Sequence, residues 1–262
     1  MNMLAKLINM NLFRMRRSAS TYVTIGAYAA FLVMVFTVML GSRMISSGNA
    51  EFAEVSQNVT TGGLFQYVIG GDVLCMFVAI ATTVFLHGEI SNGNLKNIYG
   101  KVSRKYLLVL SKTAVILPVI LAFTGIALGA SVIAGLIYSP HCISFGDQGW
   151  NLTCFTLTHV VLLLAAASLA VCVNVITNST MVTLIASFLF CQFGIAVTGT
   201  VTEWIHGFSK FTLSDYTLLG NLYAITPDST GMECLRASIV AIAVIAVTTF
   251  ISTCVLERRD VK

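Results

Sequence analysis

Charge is what this chain has least of. Only 10% of its 262 residues are Asp, Glu, Lys or Arg, where a soluble domain carries about 25%. With 56% hydrophobic residues the chain cannot cover itself in polar surface, so a water-soluble globular domain is excluded and lipid must be its main solvent. The motifs of common chemistry are missing too. There is no GxxxxGK[ST] phosphate loop, no HExxH zinc helix and no nucleophile elbow. None of the seven cysteines forms a CxxC pair, which leaves metal and dithiol redox motifs unsupported. Acids and histidines are too sparse within the apolar stretches to build a proton relay, which counts against an ion-driven carrier. Nor is there an inverted pair of interrupted spans of the kind secondary transporters use.

What is present is a series of long apolar runs. A helix needs about 20 apolar residues to cross a bilayer. Six stretches meet that length: Tyr22–Leu40, Leu64–Leu86, Tyr106–Ile137, Phe155–Ile176, Met181–Thr200 and Ala237–Leu256. Strand-length alternation is absent, so the expectation is an all-α membrane protein of six transmembrane helices forming a single domain over residues 1–262. The first stretch is long and lacks a cleavage site, and is read as an uncleaved span.

Lys and Arg fall on one side of this arrangement. Lys6, Arg14, Arg16 and Arg17 precede the first span, Lys96, Lys101, Arg104, Lys105 and Lys112 lie between or just inside the second and third, and Arg258, Arg259 and Lys262 follow the sixth. The other side holds Arg43, Lys210 and Arg236 against seven acids. By the positive-inside rule both termini are cytoplasmic, and the net charge of +4 reflects that bias rather than nucleic-acid binding.

Residues 1–19 read as an interfacial helix, with Leu4, Leu7, Ile8, Leu12 and Met15 on one face; it serves either as a lever along the membrane or as a plain positive anchor. Residues 201–235 are too polar to span yet rich in aromatics. They form an external loop that either dips back into the outer leaflet or lies as an aromatic belt. Asp72 and His159 either line a cavity or sit at headgroup depth. Asn174 and Gln192 are expected to be interhelical hydrogen-bond partners. Cys142 and Cys154 are either bridged or isolated apolar cysteines. In the third stretch Pro118 permits a kink, and Gly125 and Gly129 stand at GxxxG spacing, a packing or dimer face.

One segment stands out as polar: His87 to Tyr106, between the second and third spans. Leu95, Ile98, Tyr99 and Val102 recur at i, i+3, i+4, i+7, the stripe of a short amphipathic helix. Such a helix either lies on lipid or docks into the groove of a soluble partner.

Here the chain resembles permease subunits of the type-two ABC exporter superfamily, which includes small bacterial permeases for bacteriocin immunity, peptide export and drug efflux. The resemblance rests on an acid after span two, a glycine four residues on, a Ser-Arg pair and a lysine entering span three: Glu89, Gly93, Ser103-Arg104 and Lys112. The C-terminal run Leu256-Glu-Arg-Arg-Asp260-Val261 fits as well, although Val102 stands where many relatives carry proline. The resemblance implies that residues 88–105 form a cytoplasmic coupling helix, with Glu89, Gly93, Leu95, Lys96, Ile98, Val102, Ser103 and Arg104 at or beside the contact with a separate ATP-binding subunit. It implies that ATP and magnesium sit on that subunit, that this chain is no enzyme and binds no metal or cofactor, and that a second permease completes a homo- or heterodimer in the bacterial plasma membrane. A hydrophobic or amphipathic cargo, such as an antimicrobial peptide, suits the apolar spans. The alternatives are a non-transporting sensor or assembly partner, and an ion-coupled carrier.

Overall fold

The computed structural model describes residues 3–46, 61–70, 72–91, 105–138, 149–206 and 213–260. Among these residues every regular element is helical. In chain order they are α1 (Met3–Arg17), α2 (Ala19–Ser46), α3 (Thr61–Ile69), α4 (Asp72–Ser91), α5 (Lys105–Tyr138), α6 (Gly149–Thr177), α7 (Thr180–His206), a short 3-10 turn (Leu213–Tyr216), α8 (Leu218–Ala224) and α9 (Gly231–Asp260).

Four helical segments are long and apolar enough to cross a membrane: Ala19–Met39, Lys105–Ile137, Asn151–Thr177 and Gly231–Arg258. A fifth crossing is available if α3 and α4 count together. The sequence reads Leu64–Leu86 as one span, but the helix breaks at Gly70 and the two halves meet at 46°. The physical reason is local. Two successive glycines, Gly70-Gly71, weaken a helix interior by about 1 kcal/mol each. Asp72 then begins α4 as its first residue, the helix end where a carboxylate is favoured. Among the described residues α7 has a shorter apolar part, Thr180–Gly194, which does not reach the length of a span, so four or five crossings are found where six are expected.

α5 and α6 form the spine. In α6, 61% of the apolar window is buried, against 22% in α2 and in α9, which places α6 inside and the other two at the periphery. The most extensive packing is between α6 and α9. Buried alanines on both helices, Ala165 of α6 and Ala237 and Ala241 of α9 among them, suit a close approach. Small residues let helix backbones approach closely where no hydrophobic drive separates lipid from protein. Within this seam Thr248 donates to Ser168 Oγ at 3.0 Å. Elsewhere the buried hydroxyls turn inward on their own helices. Thr82, Thr83, Thr124 and Ser131 each donate to the carbonyl four residues back, at 2.7–2.9 Å, so none is left unmet in an apolar setting. α5 runs unbroken through Pro118. An ideal Cβ on Gly135 would stand 2.5 Å from Thr61 Oγ1, so a glycine is what lets α3 lie against α5 here.

The turn from α6 to α7 is as tight as its sequence, Thr177-Asn-Ser-Thr180, implies. Asn178 takes a φ of 51°, a conformation asparagine tolerates better than most residues. Across the turn Asn174 donates to Thr183 Oγ1 at 3.2 Å, the interhelical bond expected of it. Gln192 is exposed instead. It lies on the outward face of α7, one residue beyond the buried Cys191.

Residues 213–230, before α9, hold more regular structure than their polar composition foretells. Asn221, fully buried, donates to the carbonyls of Asp215 and Thr217, both at 2.8 Å. Thr217 caps α8 by accepting from Gly220 N at 3.1 Å. α9 begins at Gly231 rather than near Ala237, because the Glu233 carboxylate accepts the Thr230 N–H at 2.8 Å, the acidic half of a capping box. Arg236 reaches back to Asp215 at 3.2 Å.

Candidate functional site

Of the residues expected to couple to a partner, Glu89 alone is among the described residues. Glu89 lies in the last turn of α4. Gly93, Leu95, Lys96, Ile98, Val102, Ser103 and Arg104 lie outside the described residues, and so does Cys142. Cys154 is described and its thiol is unbridged.

What frames that end of α4 is visible. α1 does not merely rest beside the bundle; it packs on the first turns of α5. Leu7, Asn11 and Met15 form its buried stripe, with Ile8 and Leu12 partly buried beside them. The apolar spacing shows this face in the sequence. Asn11 at its centre does not announce itself, yet its Nδ2 donates to Ser111 Oγ at 3.3 Å in a buried setting. Lys112, next in the chain to Ser111, is buried as well. At the C-terminal end of α1 the Arg17 guanidinium lies over the Phe13 ring, 4.6 Å from its centroid. Phe13, Arg14, Arg17 and Ser18, with Phe85 and Gly88 of α4, enclose a cleft of about 300 Å³. The cleft opens beside the chain leaving α4 for residues 92–104. Two arginines there give it a cationic wall, the natural surface for lipid phosphates or for acidic groups of a protein.

A larger cavity lies at the other end of α4. It measures about 730 Å³ and sits where the broken span bends. Tyr28, Phe31 and Leu32 of α2 form one wall, Gln66, Tyr67 and Gly70 the second, and Tyr223 and Thr226, around the end of α8, the third. Val73 to Gly88 of α4 separates this cavity from the basic cleft by about 22 Å at the rise of an α-helix. Behind the α2 wall stands an aromatic cluster. Tyr28 faces Phe77 and Phe123 at centroid distances of 5.1 and 4.8 Å, and Phe31 faces Phe77 at 5.8 Å. The hydroxyls of Tyr28 and Tyr223 are both buried and meet no hydrogen-bond partner among the described groups. An apolar cavity of this size with a few polar groups is what a small-molecule or peptide-end site requires. Asp72 opens α4 beside this elbow.

His159, expected at headgroup depth or lining a cavity, is packed inside the bundle. It is 1% exposed, with Nδ1 3.0 Å from the Phe155 carbonyl and Nε2 3.1 Å from the carbonyl of Leu222. It thus ties α6 to α8, the short helix whose end closes the cavity. The 63-residue separation between His159 and Leu222 is why spacing along the chain could not reveal it.

Gly125 and Gly129 border open space among the described residues. A Cβ on either would meet nothing within 4 Å, so their small-residue stripe is open.

Several long apolar helices and a bent apolar helix pair define a multi-pass helical membrane protein. The chain belongs to the ABC-2 transporters: the family described as "ABC-2 family transporter protein" matches residues 7–194, which hold α2 to α6, the cavity's first two walls and the basic cleft. It is therefore a membrane permease component of an ABC transporter, a transporter part and not a catalyst. No curated protein matches the chain.

Proposed function

We propose that this chain is the transmembrane subunit of an ATP-driven exporter, that it spans the membrane six times with both termini in the cytoplasm, and that it works as a dimer. The observation that carries the reading is the cavity at the bend of a broken span, in a member of the ABC-2 family whose sequence has no phosphate loop. ATP and magnesium would be held by a separate subunit. That subunit would press on residues 88–105, through Glu89, Gly93, Leu95, Lys96, Ile98, Val102, Ser103 and Arg104. The basic cleft supports this reading, because Gly88, immediately before that segment in the chain, lines it together with Arg14 and Arg17.

The cavity would receive cargo. Its wall is aromatic and aliphatic, with Gln66, Thr226 and two tyrosine hydroxyls as the polar minority. That lining fits an amphipathic molecule with an apolar body and a hydrogen-bonding end, such as an antimicrobial peptide, and supports a role in resistance or immunity. The outward faces of α2 and α7, where Val33, Met34, Phe188 and Leu189 are exposed, and the open Gly125–Gly129 stripe of α5, are the surfaces on which a second permease would pack.

Two experiments test the reading. Tagged chain co-purified with candidate ATP-binding subunits from the same cell should retain one of them. The triple change Leu95→Asp, Ile98→Asp and Val102→Asp should release it and abolish ATP-dependent flux in vesicles. A complex and flux that survive the triple change would remove residues 88–105 from the coupling role. Gln66→Leu should change which amphipathic peptides stimulate ATP hydrolysis while leaving assembly intact.

A further inference from the structure

The seam between α4 and α7 holds a second piece of chemistry. Cys75 Sγ and Cys191 Sγ are 3.4 Å apart, although 116 positions separate them in the chain. Both side chains are buried, at 1% and 2% exposure, and both carry thiols rather than a disulfide. A disulfide bond is about 2.0 Å long, so closing one here asks the sulfurs to approach by about 1.4 Å.

The seam has room for that approach. A cavity of about 150 Å³ is lined by both cysteines together with Ala79, Ala170 and Ser187. A neighbouring one of about 280 Å³ lies along the same two helices, between Met76 and Ile80 on one side and Ile185 and Phe188 on the other. Both spaces are grooves open along the side of the seam rather than sealed voids, so the side chains lining it have space to move aside. The first space also gives a small uncharged molecule access to the sulfurs. A water occupies about 30 Å³ in the liquid, and hydrogen peroxide is little larger.

We propose that Cys75 and Cys191 are an oxidation site: a peroxide-closable bridge between α4 and α7. One thiol sulfur attacks a peroxide oxygen. The O–O bond breaks, and a sulfenic acid and one water result, the thiol proton leaving with the water. The second sulfur then attacks the sulfenic sulfur, the S–O bond breaks, the S–S bond forms and a second water leaves. In sum, two thiols and one hydrogen peroxide give one disulfide and two waters; the two sulfurs together lose two electrons and the peroxide gains them. A thiol reductant opens the bridge again. The bridge needs only the geometry of this protomer. Its effect on transport rests on the proposed export function, because there α4 and α7 must rearrange around the cargo.

The test uses the full-length chain in native membranes. Membranes are treated with hydrogen peroxide, remaining thiols are alkylated, and the digested protein is examined by mass spectrometry. A peptide linking Cys75 to Cys191, absent from Cys75→Ser and Cys191→Ser and lost on reduction, is the expected result. Full alkylation of both cysteines after peroxide, or their conversion to sulfinic acid with no linked peptide, overturns the proposal. Cys75→Ala and Cys191→Ala, read in the same way, guard against a serine variant that misfolds. Transport measured in parallel separates the two claims. A linked peptide with loss of flux in the wild type but not in Cys191→Ser supports bridge and rearrangement together. A linked peptide with unchanged flux keeps the bridge and refutes the rearrangement of this seam during transport.

Discussion

Replacing His159 by Phe should undock α8. The change keeps an aromatic ring of similar size against Phe155, whose own ring lies 4.2 Å from that of His159, so packing is largely preserved. What is lost is the contact from Nε2 to the Leu222 carbonyl at 3.1 Å. A neutral imidazole carries one N–H. The Phe155 carbonyl already accepts from the next turn of α6, whereas the Leu222 carbonyl belongs to the last turn of α8, where carbonyls have no partner within the helix. The proton on Nε2 is therefore the arrangement that leaves the fewest groups unmet. With phenylalanine at 159, the Leu222 carbonyl is buried without a donor. An orphaned buried acceptor costs about 1–3 kcal/mol. At about 1.4 kcal/mol per factor of ten, the undocked population of α8 rises about 5- to 150-fold. Amide hydrogen exchange measured by mass spectrometry on residues 218–224 should speed up by that factor, while peptides from α6 and α9 exchange as before. His159→Gln, which keeps a donor on a side chain of similar reach, should recover part of the protection. Unchanged exchange in His159→Phe would show that Asn221 and the Thr217 cap alone hold α8 in place.

Other consequences follow from particular contacts. Gly135→Ala should cost about 1–3 kcal/mol through overpacking against Thr61, read as a lower thermal unfolding midpoint in detergent, and Thr61→Ala in the same chain should recover much of it. Asn11→Leu should loosen α1 from α5 by leaving the Ser111 hydroxyl to its own helix, and protease cleavage near Arg17 should accelerate several-fold. Glu233→Ala should cost about 0.5–1 kcal/mol by removing half a capping box, with faster exchange confined to the first turn of α9. Gly125→Leu with Gly129→Leu should not lower the protomer's stability, since neither added side chain begins against a neighbour and leucine favours a helix interior over glycine. It should lower the dimer fraction seen by in-membrane cross-linking; an unaltered dimer fraction would take that stripe out of the interface.

Much of the helical layout was legible because lipid imposes a blunt rule: long apolar runs become helices. α2, α5 and α6 follow their apolar stretches, and the turn at Thr177–Thr180 is as short as it reads. Bounds were lost where a local signal competed with bulk hydropathy. Gly70-Gly71-Asp72 carried the break in plain view, but the flanking apolar residues outweighed it in a window of span length. Thr230-x-x-Glu233 is a helix-start signature that brings α9 forward by nearly two turns, and it lies inside a segment whose polarity argued for loop. The site was less legible than the fold. The pairings Asn11–Ser111, His159–Leu222 and Cys75–Cys191 join residues 63 to 116 positions apart. A single sequence carries no trace of such distances, because a polar residue on an apolar helix reads the same whether its partner is a neighbouring helix, a ligand or water.

The elbow at Gly70 makes α3 a short lever fixed at one end. Its nine residues extend about 13 Å from the pivot, at 1.5 Å per residue. A change of about 10° in the 46° bend would carry its tip sideways by about 2 Å, by the same helix geometry. Gln66 and Tyr67, part-way along, would move by less and Thr61 by the most. Because Thr61 is wedged against Gly135, the tip has room to swing away from α5 but little to swing towards it. Motion at the pivot would therefore be easier away from α5 than towards it, and it would carry Gln66 and Tyr67, which line the cavity, with it.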